Sequence, residues 1–149
     1  MTSSCQVDFY VLSSPGLDAT QMACRLALMS WQRGHRTMVV AESAERAVEI
    51  DSMMWKSPPD RFLPHELASN ANSESAPVLI ILFDDLSTGS QSENLVVINL
   101  CQTPIPDPAR FSRLLEIVPQ QDDARKASRT KFKYYREQGI TPGSHEISK

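Results

Sequence analysis

The chain has 149 residues, 41% of them hydrophobic, with 15 Lys and Arg against 18 Asp and Glu and a formal net charge of −3. That length and apolar share suit one domain with one continuous core, and the acidic balance argues against an overall basic nucleic-acid binder. The longest apolar runs, 78–83 (VLIILF) and 95–98 (LVVI), fall far short of the roughly 20 residues that cross a bilayer.

The first residues, MTSSCQVDFYVLSS, lack a basic segment followed by a long apolar one, so no signal peptide is expected. Residues 6–12 (QVDFYVL) are apolar, aromatic and β-branched and stop at Ser13-Ser14-Pro15-Gly16, the pattern of a strand closed by a turn. From Leu17 the period changes. Ala19, Met22, Ala23, Leu26, Ala27 and Ser30 recur at three- and four-residue spacings, which predicts a helix, widened by Leu28 and Trp31 and ended by Gly34. Residues 36–41 (RTMVVA) follow as a second strand. Strand, helix and strand in this order make a βαβ unit with parallel strands and a right-handed crossover.

Ser43 is placed to cap a second helix with Glu45 in its first turn. Ala47, Ile50, Asp51 and Met54 share one stripe there, with Val48 and Trp55 beside it, and Pro58-Pro59 ends it. Residues 60–77 read as a long connection rich in Ser, Asn and Ala, 78–83 as a buried strand, 84–94 as a polar turn and 95–100 as another strand. Pro104, Pro106 and Pro108 stiffen the next loop. Residues 109–118 have the spacing of an amphipathic helix, and 122–138 form a charged helix ended by Gly139. The expected architecture is α/β: a single three-layer domain over 1–140, a mostly parallel central sheet flanked by helices, and a mobile tail over 141–149.

An α/β chain invites a nucleotide-binding reading, which needs clustered glycines so that backbone N–H groups can approach phosphate. Gly16, Gly34, Gly89, Gly139 and Gly143 never cluster, so the fold is Rossmann-like but without a phosphate-binding loop, and no cofactor is expected. Asp84-Asp85 after a strand is a solvated turn in that setting. His35, His65 and His145 have no spacing of a helical metal site. Cys5, Cys24 and Cys101 are too scattered for a disulfide framework or a closed zinc site, so they read as small buried side chains in a reduced, cytoplasmic protein. No catalytic residue and no metal site is expected.

Two segments point to binding instead. On the last helix Arg125, Arg129, Phe132 and Arg136 fall within about a 60° stripe, flanked by Lys133. Lys126 and Lys131 add positive charge elsewhere on it. Solvated helices usually alternate signs, so this nearly uniform strip in an acidic chain suits an anionic partner. An acidic peptide with an aromatic residue fits the overall charge; single-stranded nucleic acid bound directly by the basic helix is the alternative. The second segment, 55–67 (WKSPPDRFLPHEL), concentrates Trp55, Phe62, Leu63 and Pro64, either as a cap on the core or as an anchor for a partner protein.

The order of these segments resembles the chi subunit of bacterial DNA polymerase III. The resemblance is carried by Phe9-Tyr10-Val11-Leu12, Trp31, Gly34 and Val39-Val40, then by Ile50-Asp51, Trp55, Pro59, Phe62, Pro64-His65 and Leu67-Ala68. It continues through Ala76-Pro77-Val78, Val118-Pro119, Arg125, Arg129, Lys133, Tyr135-Arg136 and Gly139. The resemblance implies a non-catalytic adaptor of the polymerase holoenzyme. Such a subunit binds the psi subunit of the clamp loader and the acidic C-terminal tail of single-stranded-DNA-binding protein, and it meets DNA only indirectly. By the same resemblance the tail site comprises Val118, Arg125, Arg129, Phe132, Lys133, Tyr135 and Arg136. Trp55, Phe62, Leu63, Pro64 and His65 would face psi or, where psi is absent, another partner such as a helicase. Family members often show a lysine and a tyrosine where this chain has Arg125 and Phe132. Arginine strengthens carboxylate pairing, and loss of the phenol removes one hydrogen bond.

Overall fold

Strand β1 (Gln6–Leu12), helix α1 (Ala19–Gln32) and strand β2 (Arg36–Ala41) form the expected βαβ unit. The Asp18 carboxylate caps α1 by accepting the Gln21 N–H at 3.0 Å. Gly34 leaves the helix at φ 84°, a left-handed conformation in which a Cβ would be strained. Helix α2 (Ala44–Lys56) starts as its sequence predicts, with the Arg46 N–H donating to Ser43 Oγ at 3.2 Å. The computed structural model describes residues 5–14, 16–56, 65–68, 78–85, 92–106, 108 and 111–147, with the backbone alone for 65–68, 85 and 92–94.

The remaining elements are β3 (His65–Ala68), β4 (Val78–Leu82), β5 (Ser92–Asn99), β6 (Phe111–Val118), α3 (Asp122–Glu137) and β7 (Gly143–Ile147). They complete a seven-stranded sheet in the order β3-β4-β2-β5-β6-β1-β7, with every neighbouring pair parallel. Helices α1 and α2 cover one face, over Leu12, Val39, Ile80 and Ile98. Helix α3 covers the other, where Tyr135 joins Phe9, Val40, Leu114 and Val118. These are the three layers of an α/β domain. Among the described residues no helix is long and apolar enough to cross a membrane.

The structure corrects four sequence expectations. Residues 109–118 are not helical: Phe111–Val118 is strand β6, between β5 and β1 in the middle of the sheet. Phe111, Leu114, Leu115 and Val118 have helical spacing, but a strand buried on both faces is apolar almost throughout, and periodicity cannot separate the two. Within the 60–77 connection, His65–Ala68 forms the edge strand β3 beside β4. Strand β5 begins at Ser92, ahead of the expected Leu95, with a register irregularity between Ser92 and Val96.

The tail expected over 141–149 also contains structure, because Gly143–Ile147 adds to the sheet edge in parallel with β1. The junction is tight. A Cβ on Gly143 would lie 2.6 Å from Asp8 Oδ1, so the close approach of β7 to the Asp8 carboxylate depends on glycine there.

Candidate functional site

Helix α3 is built from the inside outward. Its inward face meets β6, where Glu116 is fully buried. Lys131 Nζ donates to Glu116 Oε1 at 2.8 Å, and Asn99 Nδ2 and the Tyr135 hydroxyl donate to Oε2 at 2.9 Å and 2.5 Å. Lys131 also donates to the Cys101 carbonyl. Asn99 in turn donates to the Thr103 carbonyl and accepts the Cys101 N–H, both at 2.9 Å, while the Tyr135 hydroxyl accepts the Ile105 N–H at 3.0 Å. One carboxylate thus ties the end of β5, the loop after it, β6 and α3 into a satisfied buried network, as buried polar groups require. Burial raises the Glu116 carboxyl above its ordinary value, opposed by Lys131, Asn99 and Tyr135. Burial and the neighbouring Glu116 charge push the Tyr135 hydroxyl up as well.

The outward face is different. Arg125, Arg129, Lys133 and Arg136 are exposed, and none makes an ion pair among the described residues. Phe132 lies between the two faces, partly buried, with its ring 5.6 Å from that of Phe9. Asp122 and Asp123 occupy the first turn and Arg136 the last, each sign placed favourably for the helix dipole.

The structure therefore divides the expected tail-site residues. It brings Arg125, Arg129, Phe132, Lys133 and Arg136 to one surface. Tyr135 and Val118 lie instead in the core against which Phe132 packs, and Lys131, read from sequence as a further surface cation, is buried on Glu116. Of the second segment, Trp55 ends α2 at 61% exposure and His65 opens β3. Phe62, Leu63 and Pro64 fall outside the described residues.

The other candidate chemistry of the chain resolves into structure. The cysteines are buried, and burial pushes their thiols up to about 11 at Cys5 and about 12 at Cys24 and Cys101, the opposite of an activated nucleophile. A crevice of about 400 Å³ opens at the carboxyl ends of β2, β5 and β6, where open α/β sheets usually bind ligands. Glu42, Glu45, Glu49 and Asp123 line it beside Arg46, paired with Glu49, and Lys131, paired with Glu116, a net acidic lining that disfavours phosphate. Among the described residues no group of three or more His, Cys, Asp or Glu could hold a metal ion.

Sequence reasoning missed two polar clusters. The Glu116 network left one trace, a lone acid inside the apolar run LLEIV. The other cluster joins β1, β6 and β7. Asp8 accepts from Arg113 Nη2 at 3.1 Å and from Gln6 Nε2 at 3.0 Å, and His145 Nε2 lies 3.0 Å from its other oxygen. Burial pushes the Asp8 carboxyl up, but His145, Arg113 and Gln6 outweigh it and hold it below its ordinary value. Nothing in the sequence pairs residues so far apart.

Comparison with known proteins gives this geometry a family. The family described as "DNA polymerase III chi subunit, HolC" matches residues 5–143. The chain is 35% identical over 146 residues to DNA polymerase III subunit chi of Pseudomonas aeruginosa, covering 95% of this chain and 96% of that one. It is 32% identical over 133 residues to the chi subunit of Haemophilus influenzae, covering 88% and 90%. With the chi subunit of Escherichia coli it shares 28% identity over 137 residues, covering 89% and 91%. Among solved structures, T4 UvsW matches with a TM-score of 0.71 at 11% identity, over 99% of this chain and 42% of that one. Yeast Dbp5 bound to RNA and ADP BeF3 matches at 0.65 and 11% identity, over 96% of this chain and 42% of that one. These two likenesses concern the fold alone. The sequence matches span nearly the whole chain, which belongs to the DNA polymerase III chi subunit family and has that family's accessory role in DNA replication.

Proposed function

We propose that this chi-family subunit is a non-catalytic adaptor that holds the acidic C-terminal tail of single-stranded-DNA-binding protein on α3 and the psi subunit of the clamp loader on the side of Trp55. The observation that carries the tail reading is the row of exposed cations without ion-pair partners among the described residues, Arg125, Arg129, Lys133 and Arg136, beside a half-buried Phe132 in an acidic chain. Arginine pairs with carboxylates through two parallel N–H donors, and Phe132 offers the tail's terminal phenylalanine an apolar contact. Tyr135 and Val118 serve this site from beneath, as the floor of Phe132. For psi, the support is Trp55, a large aromatic exposed at the end of α2, since aromatic side chains dominate interface energetics.

Ordering a flexible tail costs conformational free energy, so affinity is modest and falls with salt. Many tails side by side on coated DNA compensate through avidity. The test is a low-salt titration with a fluorescent acidic peptide ending in Pro-Phe, beside the same peptide without the Phe. Saturable, salt-sensitive binding that needs the terminal Phe is expected. Binding indifferent to the Phe, or none, overturns the tail site and moves direct binding of single-stranded nucleic acid by the basic helix ahead of it.

A further inference from the structure

On the sheet face opposite α3 a cleft of about 380 Å³ lies beside the C-terminal half of α1. Leu26, Val96 and Leu115 give it a buried aliphatic base, and Tyr10 and Met29 add more exposed apolar surface. Its basic side chains are Arg33, at the end of α1, Arg113 from β6, and His35; among the described residues no Asp or Glu lines it. A volume of this order accommodates a large side chain with its flanking groups.

The cleft is also pre-set. Arg113 Nε and Nη2 donate to Asp8 Oδ2 at 3.3 Å and 3.1 Å, and Nη2 stands 3.5 Å from the Tyr10 hydroxyl. The Tyr10 ring stacks on His145 with centroids 5.1 Å apart. Arg113 Nη1 makes no hydrogen bond among the described residues, and neither does the Arg33 guanidinium. Ser112 Oγ donates to the Leu95 carbonyl at 3.0 Å, and Ser30 Oγ accepts from Thr37 at 2.9 Å. Among the described lining side chains there is no amide or carboxylate. An aliphatic base, one arginine held in place and a second at its rim have as their chemical complement an apolar side chain next to a carboxylate.

We propose that this cleft docks an acidic peptide segment of a partner protein. One apolar side chain of the segment seats on Leu26, Val96 and Leu115, and a neighbouring carboxylate pairs with Arg33 and Arg113 Nη1. Met29, unbranched and polarizable, adapts to the shape of that side chain. The cleft and the α3 strip lie on opposite faces of the sheet, so the two can be filled together, and the inference does not depend on what α3 binds.

The test is a titration of the full chain with acetyl-Asp-Asp-Leu-Asp-amide at low salt, followed by ¹⁵N–¹H NMR. Saturable shifts are expected at the amides of Tyr10, Met29, Arg33, Arg113 and Leu115, with much weaker shifts when serine replaces the leucine. Arg33→Glu, at an exposed position, should weaken binding about tenfold or more, the loss of one charge-assisted pair, while its spectrum shows the fold intact. Arg129→Glu, on the α3 strip, should leave the cleft shifts in place even if it abolishes tail binding. Shifts confined to residues 125–136, or binding unchanged in Arg33→Glu, would overturn the proposal. So would a thymidylate oligonucleotide that moves the cleft amides where the peptide does not.

Discussion

On the inward face of α3 a lysine is buried against a glutamate; on the outward face Arg125, Arg129, Lys133 and Arg136 stand without one among the described residues. Lys131 and Lys133 are two residues apart, yet the first is closed off with Glu116, Tyr135 and Asn99 while the second meets solvent. Desolvating an ion pair costs several kcal/mol per charge and is offset only by good geometry and complete hydrogen bonding. The inward face meets both conditions. Exposed cations carry no such requirement, and their charge remains available to an outside anion. The difference teaches that a run of one sign on a helix is two populations, and that the buried one orients the other. With Lys131 and Tyr135 held by one carboxylate, α3 cannot roll on the sheet without unpairing them, and at about 100° per residue the direction of the outward strip follows.

The most direct way to break this comparison is Lys131→Met. It strands Glu116 in the core, and about 3–5 kcal/mol of stability should be lost, a large part of what a domain of this size has. Urea unfolding measures it, and adding Glu116→Leu should restore only part of the loss, because it removes the stranded charge but leaves the Tyr135 hydroxyl and an Asn99 N–H without their acceptor. A single variant as stable as the parent would remove the orienting role of the pair. The outward face is probed by Arg129→Ala. The urea midpoint should stay within about 0.5 kcal/mol of the parent, while affinity for the acidic tail peptide falls by about 1.5–3 kcal/mol, the worth of a hydrogen bond to a charged group. Capture of psi should persist. Equal loss of both partners would mean one site, not two.

How much of this the sequence discloses follows the range of the interactions. Helices α1 and α2 and strands β1 and β2 are legible because their signals are local: the spacing of Leu26 and Ile50, the cap Ser43, the stop at Gly34. The outward strip is legible for the same reason, since residue spacing alone lines up Arg125, Arg129 and Arg136. The inward face is not. Lys131 is told from Lys133 only by Glu116, which stands on a strand 15 residues earlier whose apolar positions fit a helix equally well. Tyr135, which only the family resemblance put in the tail site, is buried on the same carboxylate. Strand β7 escapes because its sequence, GSHEI, has three exposed residues and no apolar run; it is a strand through its pairing with β1, which is 135 residues away between Asp8 and Gly143.

That edge sharpens the comparison with a second carboxylate, solvated differently from Glu116. Asp8 is nearly buried, but its partners Arg113 and His145 are one-third and one-half exposed. Gly143→Ala tests how closely β7 must approach it. The new methyl would meet Asp8 Oδ1 at 2.6 Å, so the carboxylate or the strand must move, and a loss of about 1–3 kcal/mol is expected, the usual range for overpacking. Hydrogen exchange should rise first in β7 and the facing half of β1, leaving α3 and the Glu116 network protected.

The smallest effect is in the acid limb of stability, where the two carboxylates act with opposite sign. Hydrogen bonds and the Arg113 charge hold Asp8 below its ordinary value, against the effect of burial. The unfolded chain therefore takes up that proton first as pH falls. Its contribution is complete above the ordinary aspartate value of about 3.9 and is lost as pH drops through the lower folded value. Glu116, raised by burial, contributes nothing to this loss, because its folded form takes the proton before the unfolded one does. Asp8→Asn should consequently flatten the decline in stability below about pH 4, while Glu116→Gln should not. A decline that survives Asp8→Asn unchanged would place the acid-sensitive group elsewhere, and would mean that β7 is held by its backbone pairing with β1 rather than by the charges around Asp8.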